Sequence, residues 1–437
     1  MSLRTSAAPR QRSSLRKIYL FALIEFATYG ALAAPSAVAL SLKVLELVPT
    51  TQKEGALAIV TAIGGATALI TNPLFGGMSD RTRSRFGRRR PWIAAGIVVG
   101  LLGAGIMLAA PSIAMLAIGW VIAQAGYNAT FAALNAMLAE QVPDADRGKA
   151  SGIFGAASGL GMLSAYALAA VFAKSMTVLF LAMPAVAVAI VIAVCVVVKD
   201  PVPEGEIPRV TIRSMLTSFV FNPKETPSFA YVALQRFIMQ TGYTLVQAFG
   251  LYFLMLRMKM STVEATQVTL LIGLITLVLL SAVSWGVGFL ASRRGRYGGY
   301  LLGSIGLMAA SLLISAFTDQ FLLYLVGVLM SGVALGIYSS VDLALVMRTL
   351  PAGREGKFLG IFNMAKTLPQ TIAPAAAPFL LMLGAGDPIA GGDKNYTALY
   401  LCATAAVLLS LLTIAGFRAK LNPSAAPVAE TKEELIP

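Results

Sequence analysis

Gly76-Gly77-Met78-Ser79-Asp80-Arg81-Thr82-Arg83-Ser84-Arg85-Phe86-Gly87-Arg88-Arg89-Arg90-Pro91 lies between two long apolar runs. Six arginines and an aspartate cannot rest in hydrocarbon, where each charge at a helix centre costs about 2.5–3.5 kcal/mol on insertion scales. The stretch therefore marks a membrane surface. Positive charge gathers in cytoplasmic loops, which places this one on the cytosolic side. Asp80 needs a reason of its own, because topology has no use for an acid there. At the end of an apolar run it is expected within reach of the positive N-terminal end of a neighbouring helix, with the arginines near helix C-terminal carbonyls and lipid phosphate.

Outward from this loop the composition agrees. Of 437 residues, 57% are hydrophobic and 12% charged, against about 25% charged in an ordinary soluble domain. Cutting the chain at its charged and Pro/Gly-rich breaks leaves roughly twelve apolar runs of the ~20 residues that a spanning helix needs. Met1 to Lys17 is polar and basic, and no cleavable signal peptide is expected.

The net charge of +14 would suit nucleic acid, but its distribution argues against that partner. By the proposed loops, 26 of the 34 Lys+Arg fall in segments on the arginine side, six in the opposite loops and two inside helices. Alternation of this kind reports orientation and affinity for anionic lipid. Cys195 and Cys402 both lie in apolar runs, so neither a structural disulfide nor thiol chemistry is expected. Without histidine, any proton relay must use carboxylates and a His-ligated metal site is excluded. No loop gathers a nucleophile, a base and an orienting group, so an enzyme is not indicated.

The chain divides into a cytosolic tail (1–17), six spans (18–198), a proline-containing polar linker (199–226), six more spans (227–418) and a cytosolic tail (419–437). The halves repeat. Pro143, Gly148, Lys149, Gly152, Ile153 and Phe154 superimpose on Pro351, Gly356, Lys357, Gly360, Ile361 and Phe362 with one offset of 208 residues, which also relates Gly87-Arg88 to Gly295-Arg296. The second copy lacks four residues and has Ser292 where the first has Asp80. A duplicated six-helix unit is the build of many membrane transporters, so a solute site is expected between the halves, near the midplane.

Charges deep in the spans are few: Glu25, Arg236, Asp342 and Lys366. Glu25 stands about eight residues into the first span, ~12 Å deep at 1.5 Å per residue. With no basic partner in its half, it suits a group that gains and loses a proton. Arg236, Asp342 and Lys366 sit at one level and are expected to form an ion-pair cluster, which lowers the cost of each. Tyr29, Gln124, Tyr127, Asn128, Gln240, Tyr243, Gln247, Tyr338, Asn363, Lys366 and Gln370 are expected to face the solute, the amides bonding its hydroxyls and the tyrosines stacking on a ring. The third span is nearly all apolar and expected to face lipid. Gly155, Gly159 and Gly161 are spaced for close approach of the fifth span to a neighbour.

Glycine, three residues, Asp-Arg and then Gly-Arg-Arg, with Gly76, Asp80, Arg81, Gly87, Arg88 and Arg89 as its members, resembles the signature between helices 2 and 3 of the major facilitator superfamily. Its longer form, Ser79 to Trp92, is similar to that of the glycoside-pentoside-hexuronide:cation symporters and the sucrose:proton symporters. The resemblance implies an all-α membrane protein of twelve transmembrane helices in two pseudo-symmetric halves, a monomer in the cell (inner) membrane with both termini cytosolic. It also implies a cytosolic gate at this loop and alternating access to a small solute such as a sugar or glycoside. In that family an acid on helix 1 binds sugar, the place of Glu25, and a second acid on helix 4 falls at Asn128. A sodium-site pair of acids on helix 2 falls at Ala68 and Asn72, so a proton is the expected coupling ion rather than sodium, with no cofactor. Lys366 resembles a family lysine near the cation and sugar sites. A proton-driven exporter of amphipathic compounds is the alternative, on the faint likeness of Gly155, Gly159 and Gly161 to the glycine motif of drug antiporters, whose proline is absent. A receptor on a transporter scaffold ranks below both.

Overall fold

The computed structural model describes residues 15–142, 144–198, 200, 221–294, 297–351, 355–384 and 386–417. Residues 1–14 of the expected N-terminal tail, the whole expected C-terminal tail, most of the linker, and Pro143 and Gly295-Arg296 of the repeat lie outside them, while Leu15, Arg16 and Lys17, expected in the tail, belong to the first helix. The described residues form twelve rods. The first, α1, is Leu15–Ala34, continuing through a π turn at Pro35–Ala39 into Leu40–Leu47. Next come α2 (Lys53–Asp80), α3 (Arg90–Ala109), α4 (Ile113–Gln141), α5 (Asp144–Val171) and α6 (Met176–Val197). The seventh, α7, is Pro227–Gln247 with a short continuation at Gly250–Arg257. Then follow α8 (Thr262–Arg294), α9 (Gly298–Phe317), α10 (Phe321–Met347), α11 (Glu355–Leu380) and α12 (Tyr396–Leu409, then a 3-10 turn at Ser410–Phe417).

Local chemistry sets the ends. Proline occupies the first turn of α3 (Pro91) and of α7 (Pro227), where its missing N–H costs nothing. Side chains of Ser112, Ser175 and Asn395 accept from backbone N–H groups at the starts of α4, α6 and α12. Ten of the twelve rods are long and apolar enough to cross a membrane. The other two, α7 and α11, fall short for physical reasons: α7 carries Gln235, Arg236, Gln240 and Gln247, and α11 carries Pro369, Pro374 and Pro378 with Asn363, Lys366 and Gln370. Packed against each other, they are the spans whose polar groups protein and water must satisfy in place of lipid.

The two halves are copies in packing as well as in sequence. In the first, α1 packs on α5 and α6, α2 on α4, and α3 on α4 and α6; in the second, α7 packs on α11 and α12, α8 on α10, and α9 on α10 and α12. The start of α9 and that of α10 lie 208 residues after those of α3 and α4. Across the halves α2 meets α11 and α5 meets α8, again as mates. Each crossing turns on one glycine. A Cβ on Gly65 would come within 2.3 Å of Thr371, and one on Gly273 within 2.5 Å of the Tyr166 ring. Gly65 and Gly273 are themselves 208 apart.

Two expectations about helix faces change. One face of α3 is not for lipid: Gly96, Gly100 and Gly103 seat against Gly119, Gly126 and Tyr127 of α4, while Val98, Val99 and Leu102 stay exposed on the other. Of the three α5 glycines only Gly161 marks a close approach, its site for a Cβ lying 2.2 Å from the Phe26 carbonyl oxygen of α1. Gly155 and Gly159 face open space.

Candidate functional site

Glu25 does not face lipid. It is buried on α1, where Glu25 Oε1 accepts from the Ser158 hydroxyl of α5 at 3.1 Å and Oε2 has no hydrogen-bond partner among the described residues. One turn on, the ring of Tyr29 rests on Phe131 of α4, with centroids 4.7 Å apart. The polar ladder of α4 continues from there. Asn128 donates to the side chain and carbonyl of Gln124 at 3.2 and 2.8 Å, and its own carbonyl accepts from Asn72 of α2 at 3.3 Å. Asn72 is thus a neutral link between α2 and α4. Tyr127 departs from its expected place. It is wholly buried with its ring over Gly100, on the face of α4 that serves α3, because only a glycine there leaves room for it.

In the second half the cluster forms around α7 and α10. Arg236 Nη1 lies 3.1 Å from Asp342 Oδ2, and its guanidinium stacks 3.9 Å from the centroid of Phe362 on α11. The Tyr338 hydroxyl shares its hydrogen between Gln235 Oε1 at 2.8 Å and Asp342 Oδ1 at 3.3 Å. Gln235, buried at the centre of this network, escaped the sequence reading because a glutamine beside an arginine carries no distinguishing signal. Lys366 joins Arg236 and Asp342 only at range, making no ion pair with either among the described residues; it lies on an exposed stripe of α11 with Asn363 and Gln370. Gln240 donates to Thr244 of its own helix at 3.3 Å. Tyr243 and Gln247 border a small cavity of about 60 Å³ inside the second half, shared with Ser311, Tyr324 and Tyr400.

At the arginine loop the acids and bases interlock within the first half. Asp80 Oδ1 accepts from Arg88 at 3.1 Å and from Arg89. Arg89, itself buried, also reaches Glu140 Oε1 at 2.5 Å and Ser79 Oγ at 2.6 Å. The helix N-terminus expected for Asp80 is taken by another acid. Asp200, just past α6, accepts from the backbone N–H groups of Arg89 and Arg90 at 2.5 and 2.9 Å, capping α3. Two arginines already hold Asp80. Gly87 makes room for this cap: its φ is +108°, and a Cβ would meet Asp200 Oδ2 at 2.4 Å. Arg81 stays exposed, and Gly76 runs past Ala132 of α4 with room to spare.

At the opposite end the halves are joined. The Tyr252 hydroxyl of α7 donates to the Ser41 carbonyl of α1 at 3.1 Å, and the Tyr396 hydroxyl of α12 to Glu54 Oε1 of α2 at 3.4 Å. Lys53 lies 4.8 Å over the Tyr252 ring. Beside them a cavity of about 150 Å³ is bordered by Lys53, Glu54, Arg257, Asp387 and Tyr396. Arg257 and Asp387 form a buried pair at 2.6 Å, with Thr397 and the carbonyls of Ala316 and Thr318 as further acceptors of Arg257. Burial pushes the Asp387 carboxyl up, but donation from the Ile389 N–H and from Arg257 outweighs it and holds the group below the usual range. This joint was not foreseen, since Lys53, Glu54 and Arg257 read as loop charges in a sequence.

The solved structures that resemble this one share its fold at low identity. The nucleoside transporter NupG matches with a TM-score of 0.69 at 12% identity, over 92% of this chain and 99% of its own. A bacterial homologue of the human lysosomal transporter Spinster, inward-facing and unoccupied, gives 0.69 at 14% identity over 96% and 100%. A D-xylose–proton symporter gives 0.66 at 17% identity over 91% and 96%. The family model described as Major Facilitator Superfamily matches residues 18–374. A twelve-rod bundle repeated in sequence and in packing, with that match along most of its length, leaves one assignment: the chain belongs to the Major Facilitator Superfamily and is a multi-pass membrane transporter rather than an enzyme.

Proposed function

We propose that the protein imports a sugar, glycoside or similar polyhydroxylated solute together with a proton, by alternating access. The observation that carries this reading is Glu25: an acid within the span, bonded to one hydroxyl, with an oxygen left unpartnered and no cation in contact among the described residues. Such a group can take up and give back a proton without breaking an ion pair. Sodium fits less well, because Ala68 and Asn72 stand where the resembled sodium site calls for two carboxylates. The amides of α4 and α11 suit hydroxyl groups. That one of the structural neighbours is described as a D-xylose–proton symporter is compatible with this reading.

On the expected topology, with the arginine loop cytosolic, the joint at Ser41, Glu54, Tyr252 and Tyr396 closes the outer side. The form described here is then the inward-facing one. The loop around Asp80, Arg88, Arg89 and Glu140 would exchange its partners when the inner side closes. Uptake into proteoliposomes tests the function: with an inward proton gradient, at least one member of a panel of radiolabelled sugars and glycosides should accumulate, and collapse of the gradient should abolish accumulation. Resistance to amphipathic toxins in cells making the protein, with no uptake of any sugar, would favour export instead.

A further inference from the structure

We propose that Ser158 of α5 is the positioning residue of the proton site. Its hydroxyl turns between Glu25 and the Phe154 carbonyl as the proton comes and goes, and so sets how readily Glu25 gives the proton up; this rests on the proton role of Glu25 argued above. The geometry around one hydrogen carries the argument. Ser158 Oγ lies 3.1 Å from Glu25 Oε1 and 3.0 Å from the Phe154 carbonyl oxygen, both within donating distance. A serine hydroxyl has one hydrogen to give and two lone pairs to accept with, so it serves one of these acceptors at a time. With Glu25 ionised, the hydrogen belongs on the carboxylate, because the charge-assisted bond is the stronger. With a proton on Oε1, the carboxyl O–H donates to Ser158 Oγ and the serine hydrogen turns to the Phe154 carbonyl. Both states keep the Glu25–Ser158 bond with its direction reversed, and the step between them turns one hydroxyl.

The surroundings leave Ser158 as the group that acts on this acid. On α1, Tyr29 stands one turn after Glu25, and Arg16 and Lys17 stand at the start of the helix, about 12 Å earlier at 1.5 Å per residue. On α4, Tyr127 is turned under α3 and Glu140 is held by Arg89 at the arginine loop. On α6 the titratable side chain is Cys195, near Asp200. On α5, among the side chains described, it is Tyr166, set against Gly273 of α8. Helix α8 meets α1 at the π turn, well past Glu25, with Glu264 and Arg293 at its ends. Among the described residues none of these is hydrogen-bonded to Glu25.

Packing holds the pair, and the repeat separates it from that packing. A Cβ on Gly161, one turn past Ser158, would stand 2.2 Å from the carbonyl oxygen of Phe26, the residue after Glu25, so the crossing keeps Ser158 at bonding distance. The crossing of α1 on α5 recurs as α7 on α11. Yet at the 208-residue offset the mates of Glu25 and Ser158 are Ala233 and Lys366. Both halves build the crossing and one half builds the acid–hydroxyl pair. The crossing therefore does not need it.

The test reads Glu25 directly and needs no solute. Full-length protein in liposomes is titrated while infrared difference spectra follow the C=O band of protonated carboxyls, and the component lost in Glu25→Gln is assigned to Glu25. In Ser158→Ala the ionised form loses its donor, so the midpoint of that band should rise by about one pH unit or more, a tenfold change in proton concentration. Ser158→Thr, which keeps a hydroxyl, should stay at the wild-type midpoint. If Ser158→Ala does not fold, Ser158→Cys, a weaker donor, should show a smaller rise in its place. A midpoint unchanged or lowered by loss of the hydroxyl, or raised equally in Ser158→Thr, overturns the role of Ser158 and leaves Glu25 standing as the proton site. A Glu25 band that does not titrate, or no band lost in Glu25→Gln, overturns both.

Discussion

At the scale of single residues, the buried ion pairs decide what substitution costs. Arg236 and Asp342 lie on two spans, α7 and α10, with little solvent around them, so removing one partner strands the other, a penalty of about 3–5 kcal/mol in buried pairs. Asp342→Asn and Arg236→Gln should each lower the melting temperature of the detergent-purified protein clearly, and the double variant should lose less than the sum of the two. Asp387 adds a pH dependence. Its folded carboxyl titrates below the unfolded value of about 3.9, so its contribution is fully present above that value and is lost as pH falls through the folded one. The melting-temperature difference between wild type and Asp387→Asn should therefore be constant from pH 5 to 7 and shrink below about pH 4. A sequence announces which residues carry charge, and it announced Glu25, Arg236, Asp342 and Lys366. It does not announce which face of a helix they leave by. Tyr127 and Gln124 are three residues apart on α4, yet one seats under α3 and the other bonds Asn128.

Elements are placed by small residues. Where α2 crosses α11, a Cβ on Gly65 would stand 3.1 Å from the Thr371 Cα as well as 2.3 Å from its hydroxyl oxygen, and backbone cannot rotate away. Gly65→Val should force the two halves apart at this crossing and cut the initial uptake rate at least tenfold, whereas Gly155→Ala, which faces open space, should leave uptake unchanged; comparing the rates at equal protein content checks both. The number and order of the helices were legible because apolar runs of the right length are a strong signal. The glycines at the crossings between the halves were not. Gly155, Gly159 and Gly161 carry a visible spacing, but two of them meet nothing, while Gly65 carries none and meets a backbone. Spacing along one helix says nothing of which neighbour lies across from it.

For the whole molecule, duplication is the organising fact, legible in one residue offset and then found again in which rods touch. What the offset could not disclose is which end the two halves close, because the tyrosines and charges of that joint belong to no repeated motif. The orientation reading predicts that a membrane-impermeant maleimide added to intact cells labels Thr50→Cys and spares Ser84→Cys, on a background with Cys195 and Cys402 replaced. The most direct test of the account's central claim is solute accumulation by Glu25→Gln in proteoliposomes under an inward proton gradient. Wild type should concentrate solute above the external level; Glu25→Gln should reach the external level and stop, while still exchanging labelled for unlabelled solute. Accumulation by Glu25→Gln to the wild-type level would contradict it.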